Sequence, residues 1–264
     1  MNQFINSNTD LSWPNIEIEY PKKIELFIDS FEGYNPNNDS FKILWVKECE
    51  AISGFKKKAI EYADKFDAIL TYDEEILKKC PNSHLMLFGT SWVHDYSFID
   101  KKFQISHLTG YKNSTIGHKM RQQIHYKQTK IKNPKDFYIS KYGGVENFIN
   151  NKILGEKKEP LFDSQFHICI ENSQQSNCFT EKIIDCFVTK TIPIYFGAPN
   201  ISEYFDLNGI FTANTIEEII NICNSLDENS YNKKLEFIKK NFELSQKYIS
   251  IVDRLENIIK KIIQ

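Results

Sequence analysis

FHICIENSQQSNCFTEKIIDCF, residues 166–187, begins as a buried strand and ends as a half-apolar helix. FHICI (166–170) is the strand, and a helix over 180–189 places Ile183, Ile184, Phe187 and Val188 on one stripe. The turn between them carries Glu171, Glu181 and Lys182. A helix start presents unpaired backbone N–H groups and positive potential, so it binds phosphate well and disfavours a lysine unless an anion is near. Lys182 therefore points to a bound anion, and the two oxygens of Glu181 suit the hydroxyls of a ribose. The competing reading has Glu181 complementing the helix dipole and Lys182 pointing to water; the stretch alone does not choose between them.

Outward from this turn the pattern is strand and helix in alternation. Before it come FQISHL (103–108), a loop ending at Gly117, a helix over 118–130, DFYIS (136–140) and the Gly143–Gly144 stretch; after it come TIPIYFG (191–197), a turn through Pro199 and a helix over 215–226. A similar series fills the first third: strands at 16–20, 23–28, 41–46, 67–72 and 84–89, with helices at 54–66 and in EEILKKC. Such series form parallel sheets with right-handed crossovers. VHDYSFIDKK (93–102) lacks any period and reads as a hinge. The expected fold is α/β, two Rossmann-like β/α domains facing a cleft, with ligands at the carboxyl ends of the strands. The domains span 1–98 and 99–243, and a helix in 244–264 returns to the first. That helix sets Tyr248, Ile251, Leu255, Ile258, Ile259 and Ile262 on one stripe; a peripheral membrane contact is its alternative use, though membrane-surface helices carry a more basic polar face.

Composition narrows the function classes. The 264 residues are 41% hydrophobic, enough for one large core or two small ones, and 33 basic against 35 acidic residues leave no global field for nucleic acid or an anionic membrane. Any anion site is local. The start has no signal-peptide pattern and no apolar run is long enough to span a bilayer, which reads as a cytoplasmic protein. Cys49, Cys80, Cys169, Cys178, Cys186 and Cys223 are scattered and read as reduced, buried thiols, and the six histidines form no zinc signature.

Two more stretches carry candidate chemistry. In GHKMRQQIHYKQTKIKNPK, Arg121 falls in the first turn of a helix that follows a strand, where its fork can grip a phosphate. RNA binding is the rival reading of this stretch, but no aromatic platforms are interleaved in it. Glu48-Cys49-Glu50 follows the apolar strand ILWV at its carboxyl end, where a carboxylate can take a proton from a hydroxyl.

CIENSQQSNCFTEKIIDCFVTKTIPIYFGAPNISEYF resembles the donor-binding region of the α-1,3/4-fucosyltransferases, in particular their soluble bacterial or viral branch. The family's pattern stands here as Glu171-Asn172-Ser173, Thr180-Glu181-Lys182, Ile192-Pro193-Ile194 and Gly197-Ala198-Pro199, across about 165–212. GHKMR is similar to the strand-loop-helix that opens the family's donor domain, and ILWVKECEAIS, more loosely, to the strand and acidic turn that carry its base. The resemblance implies a GT-B type glycosyltransferase that moves fucose from GDP-fucose to a glycan hydroxyl with inversion. It implies Arg121, Glu171, Asn172, Ser173, Thr180, Glu181 and Lys182 as donor ligands and Glu48 as general base, with Glu50 as rival. The expected ligands are the nucleotide sugar and a glycan acceptor, with no prosthetic group. No D-x-D motif is present, and Arg121 and Lys182 are expected to replace a metal. The alternatives are transfer of another sugar, a non-catalytic nucleotide-sugar binding module, and RNA binding.

Overall fold

A computed structural model describes residues 2–3, 5–6, 17–93, 101–141 and 152–264; most of the expected hinge and the Gly143–Gly144 stretch lie outside the described residues. The chain forms two compact units. Met1–Phe88, Ser176–Cys178 and Ser250–Gln264 make the first, and Gly89–Gln175 with Phe179–Ile249 the second.

The first unit holds β1 (Asn2–Gln3), β2 (Ile5–Asn6), β3 (Glu17–Ile18), β4 (Lys23–Ile28), β5 (Ser40–Val46), α1 (Glu50–Ser53), α2 (Lys56–Glu61), β6 (Ala68–Thr71), α3 (Glu74–Lys79) and β7 (Ser83–Leu85). Its main sheet is parallel, in the order β2-β4-β5-β6-β7, while β1 and β3 pair antiparallel. The period of two along the strands divides the core. Ile43 and Trp45 of β5 join Leu26, Ile28, Ala68 and Leu70 on one face, whereas Leu44 and Val46 join Phe27 and Ile69 on the other. Ala59 of α2 and Ile76 of α3 cover the second face. The first is covered by the last helix, α8 (Ile251–Ile263), through Ile251, Leu255 and Ile259.

The structure trims several expected elements. The helix expected over 54–66 is the six residues of α2 and a 3-10 turn at Ala63–Lys65, and the strand expected at 84–89 is only Ser83–Leu85. Tyr248 is not on the α8 stripe: it sits in a 3-10 turn of the second unit, with its ring against Phe179 and Phe205.

The second unit contains β8 (Lys102–Thr109), α4 (Ile116–Tyr126), β9 (Lys135–Ser140), β10 (Ile153–Leu154), β11 (Ser164–Ile170), α5 (Glu181–Val188), β12 (Ile192–Phe196), β13 (Phe211–Thr212), α6 (Ile216–Ser225) and α7 (Ser230–Ser245). Its strands are all parallel, in the order β10-β9-β8-β11-β12-β13. The order reverses between β8 and β11. Chain leaving β8 runs through α4 to one side, and chain leaving β11 runs through α5 to the other, which opens a crevice above the carboxyl ends of these two strands. No sequence signal pointed to α7; it buries only Ile238, Asn241 and Ser245, too polar a set to give a clean helical stripe. Among the described residues no helix is long and apolar enough to cross a membrane.

Candidate functional site

The crevice of the second unit is a cavity of about 780 Å³ at the β8–β11 reversal. β11 delivers Glu171 to the loop behind its wall. Glu171 is 1% exposed and spends both oxygens on Thr180, one accepting the backbone N–H at 2.9 Å and the other the hydroxyl at 2.8 Å. That clasp closes the small polar loop and sets Thr180 as N-cap of α5, which explains why the acid and the Thr-Glu-Lys triplet stand at this spacing.

Lys182 in the first turn donates to Thr180 Oγ1 at 2.9 Å and to Glu181 Oε1 at 3.1 Å, and lies 3.4 Å from Glu171 Oε2. Burial lowers the pKa of its ammonium, but the charges of Glu181 and Glu171 outweigh burial and raise it above the usual lysine range. For Glu181 the same contest runs the other way. Burial pushes the carboxyl up, while Lys182 and Lys158 hold it at about 2. Arg121 enters from α4 and donates to the carbonyl of Ile170 and, at 2.8 Å, to Asn172 Oδ1. The helix begins at Ile116 rather than 118, so Arg121 stands in its second turn, not its first.

Close backbone approach makes this packing possible. The N–H of Gly117 donates to Asn172 O at 3.0 Å, and a Cβ at Gly117 would lie 1.8 Å from the backbone oxygen of Glu171. At Gly197 a Cβ would meet Tyr195 Oη at 2.2 Å and Glu171 Cγ at 2.7 Å. Gly117→Ala is expected to lower the melting temperature by about 5 °C or more, because both clashing groups are anchored backbone and overpacking costs roughly 1–3 kcal/mol. Gly155→Ala, where a Cβ meets nothing within 4 Å, is the control. Equal melting temperatures for the two variants would show that α4 shifts freely against the Glu171 loop.

Of the candidate residues, Arg121, Asn172, Glu181 and Lys182 line the cavity. Glu171, Ser173 and Thr180 do not; they build the loop from behind the wall. Glu48 and Glu50 belong to the first unit. Glu48 is half-buried just past β5, and its N–H and that of Lys47 donate to the carboxylate of Asp29 at 3.0 and 2.9 Å. Asp29 adopts φ 47°, a left-handed conformation that few residues other than glycine take, and burial raises its pKa. Glu50 is exposed and accepts from the backbone N–H of Lys56 at 2.9 Å, so it caps α2.

Sequence reasoning missed Lys158 and Asp185, which complete the charged wall. Lys158 Nζ lies 3.3 Å from Asp185, 3.7 Å from Glu181 and 4.1 Å from the ring centre of Trp92. Asp185 is fully buried and also accepts from Ser91 Oγ at 3.0 Å and Trp92 N–H at 2.8 Å. Burial lifts its pKa to about 6, against the pull of Lys158. A signal for Asp185 was present, since it stands four residues from Glu181 on one helix and two buried like charges at that spacing require a cation between them; nothing in it pointed to Lys158. The wall thus sets Arg121, Lys158 and Lys182 against Glu181 and Asp185, with Glu171 behind it. Among the described residues no group of three or more His, Cys, Asp or Glu is arranged to hold a metal ion.

Comparison with known proteins places this architecture. No protein-family model matches the chain. A 64-residue stretch is 39% identical to the α-(1,3)-fucosyltransferase FucT of Helicobacter pylori, covering 24% of this chain and 13% of that protein. Among solved structures, TarM superposes with a TM-score of 0.64 at 15% identity, over 91% of this chain and 54% of TarM. An α1,3-fucosyltransferase with GDP-fucose gives 0.55 at 17% identity, over 91% and 78%. The pneumococcal O-GlcNAc transferase GtfA, in complex with UDP and GlcNAc, gives 0.55 at 11% identity, over 91% and 57%. The chain therefore spans about half the length of TarM, and its match to the Helicobacter enzyme covers about an eighth of that protein. Two parallel β/α units and these superpositions give the chain the GT-B glycosyltransferase fold.

Proposed function

We propose that this protein is an inverting glycosyltransferase that transfers fucose from GDP-fucose to a glycan hydroxyl. The observation that carries this reading is the convergence of Arg121, Lys158 and Lys182 with the start of α5 on one cavity at the strand-order reversal. Cations and the positive end of a helix at such a place suit a diphosphate. The fold alone leaves the nucleotide and the stereochemistry open, since similar structures include a UDP complex and an enzyme described as transferring with retention. The fucosyl assignment rests on the local sequence match to the Helicobacter enzyme, and inversion on the resemblance of the 165–212 stretch to the fucosyltransferases.

In this mechanism the acceptor hydroxyl gives its proton to Glu48 and its oxygen attacks the anomeric carbon from the side opposite the nucleotide. The bond from that carbon to the phosphate oxygen breaks, and GDP leaves with the electron pair. Arg121, Lys158 and Lys182 meet the charge that develops on the leaving diphosphate, work that asks for no divalent ion. Asp29 positions Glu48 through its backbone. Glu171 and Thr180 keep the start of α5 in register.

Thermal unfolding with a panel of nucleotides tests the reading. A ligand at ~100 times its Kd adds about 2.7 kcal/mol, which for a chain of this size is a rise of roughly 5–10 °C. GDP and GDP-fucose are expected to give that rise, and UDP and CMP clearly less. Equal rises with all three nucleotides would remove the guanine assignment. No rise with any of them would remove the nucleotide site.

A further inference from the structure

One group on the cavity wall has no part in the chemistry above. His118 stands in the first turn of α4, buried but lining the cavity. Thr115, the N-cap of α4, accepts the backbone N–H of His118 at 3.2 Å, which leaves its own hydroxyl proton to give. The imidazole Nδ1 lies 2.9 Å from that hydroxyl oxygen and 3.2 Å from Ser114 Oγ. In the tautomer in which Nδ1 accepts that hydroxyl proton, the neutral ring carries its own proton on Nε2. Arg121 is three residues on, along the same side of the helix.

The charges around the ring are Arg121 on its own helix, Lys112 on the preceding loop and Lys182 on α5. Burial first, and then these three cations, hold the imidazole down to about 4, so it is neutral in the free protein at physiological pH. The nearby carboxylates of Glu171 and Glu181 are occupied by Thr180, Lys182 and Lys158.

We propose that His118 is a further ligand of the diphosphate, donating its Nε2–H to a phosphate oxygen, and that the ring takes up a proton when the diphosphate binds and returns it when the diphosphate leaves. The proposal rests on the reading of this cavity as a nucleoside-diphosphate site. A bound diphosphate offsets the charges of Arg121, Lys112 and Lys182 that keep the ring neutral, and it adds an anion that favours imidazolium. The incoming proton comes from solvent to Nδ1, and the Thr115 hydroxyl turns from donor to acceptor. The sign follows: a ring that is easier to protonate in the complex makes diphosphate binding tighter as pH falls from about 7 towards 5.

The test is calorimetric titration of GDP into the wild type and His118→Gln at about pH 6, in two buffers of different ionisation enthalpy. The two heats give the protons exchanged. The wild type is expected to take up about half a proton more than the variant and to bind about tenfold more tightly, the gap narrowing at about pH 8. Identical proton counts and affinities in the two proteins would overturn the proposal. If the variant fails to fold, the NMR titration of the His118 ring in wild-type protein decides: its pKa must rise on adding GDP, and an unchanged value overturns the assignment. Absence of GDP binding to the wild type would overturn the nucleotide reading along with it.

Discussion

Glu48→Gln is expected to slow sugar transfer by about 10²–10⁴-fold, the range general-base catalysis supplies, while the affinity for GDP stays where it was. The amide keeps the shape of the side chain and can still accept the N–H of Cys49, which Glu48 Oε1 receives at 3.0 Å. What it loses is basicity. The separation between the two effects follows from the chain's organisation: Glu48 belongs to the first unit, and the residues proposed to bind the nucleotide belong to the second. Glu50 is the rival. Glu50 is exposed and already holds the N–H of Lys56, so Glu50→Gln is expected to change turnover by less than about tenfold. An active Glu48→Gln beside a dead Glu50→Gln would exchange their roles. If both stay active, the base lies elsewhere and the reading of the first unit fails.

Lys182→Ala carries the second large effect, and here the structure changes the expectation. From sequence, Lys182 at a helix start is a ligand whose removal leaves the fold intact. In the structure its ammonium lies between Glu171 and Glu181, which are 1% and 6% exposed. Removing one partner of a buried pair typically costs about 3–5 kcal/mol, so stability falls together with donor affinity, the latter by roughly 2–5 kcal/mol. The pH dependence separates the two. Glu181 has a folded-state pKa of about 2 against an ordinary 4.5, so its contribution is present above pH 4.5 and is lost as pH falls towards 2. In Lys182→Ala that acid-side loss should shrink, because the contribution is already gone at neutral pH. Lys182→Arg keeps the charge and is expected to restore most of the stability. Donor affinity in Lys182→Ala equal to that of the wild type would mean that Lys182 serves only the ion-pair cluster.

The strands were legible where apolar residues outnumber everything else. KIELFI, FKILWV and FHICI lie on central strands with both faces covered, so burial alone writes them into the sequence. Short edge elements were not: β7 and β13 have three and two residues, and neighbours rather than propensity decide where they stop. In the site, Lys182, Glu181 and Arg121 were readable because each sits beside a strand or a helix start whose position the period gives away. Lys158 was not. It comes from the loop after β10, in a polar stretch without period, and only the folded chain shows that it answers the buried acids of α5. Glu171 illustrates the converse, a recognised motif residue whose observed work is to hold Thr180 from behind the cavity wall.

All six cysteines are buried, and none forms a disulfide. They divide evenly between the units, Cys49, Cys80 and Cys178 in the first and Cys169, Cys186 and Cys223 in the second. This makes the chain its own probe of local opening. A thiol reagent reaches a buried sulfur only when the surrounding structure opens, so the alkylation rate of each cysteine, read peptide by peptide, reports the free energy of opening around it. Two sets of three rates that coincide would describe a molecule that opens as one cooperative body. Two separate sets would give each unit a stability of its own, and a nucleotide that slows alkylation of Cys169 and Cys186 but not of Cys49 and Cys80 would show which half of the chain it braces.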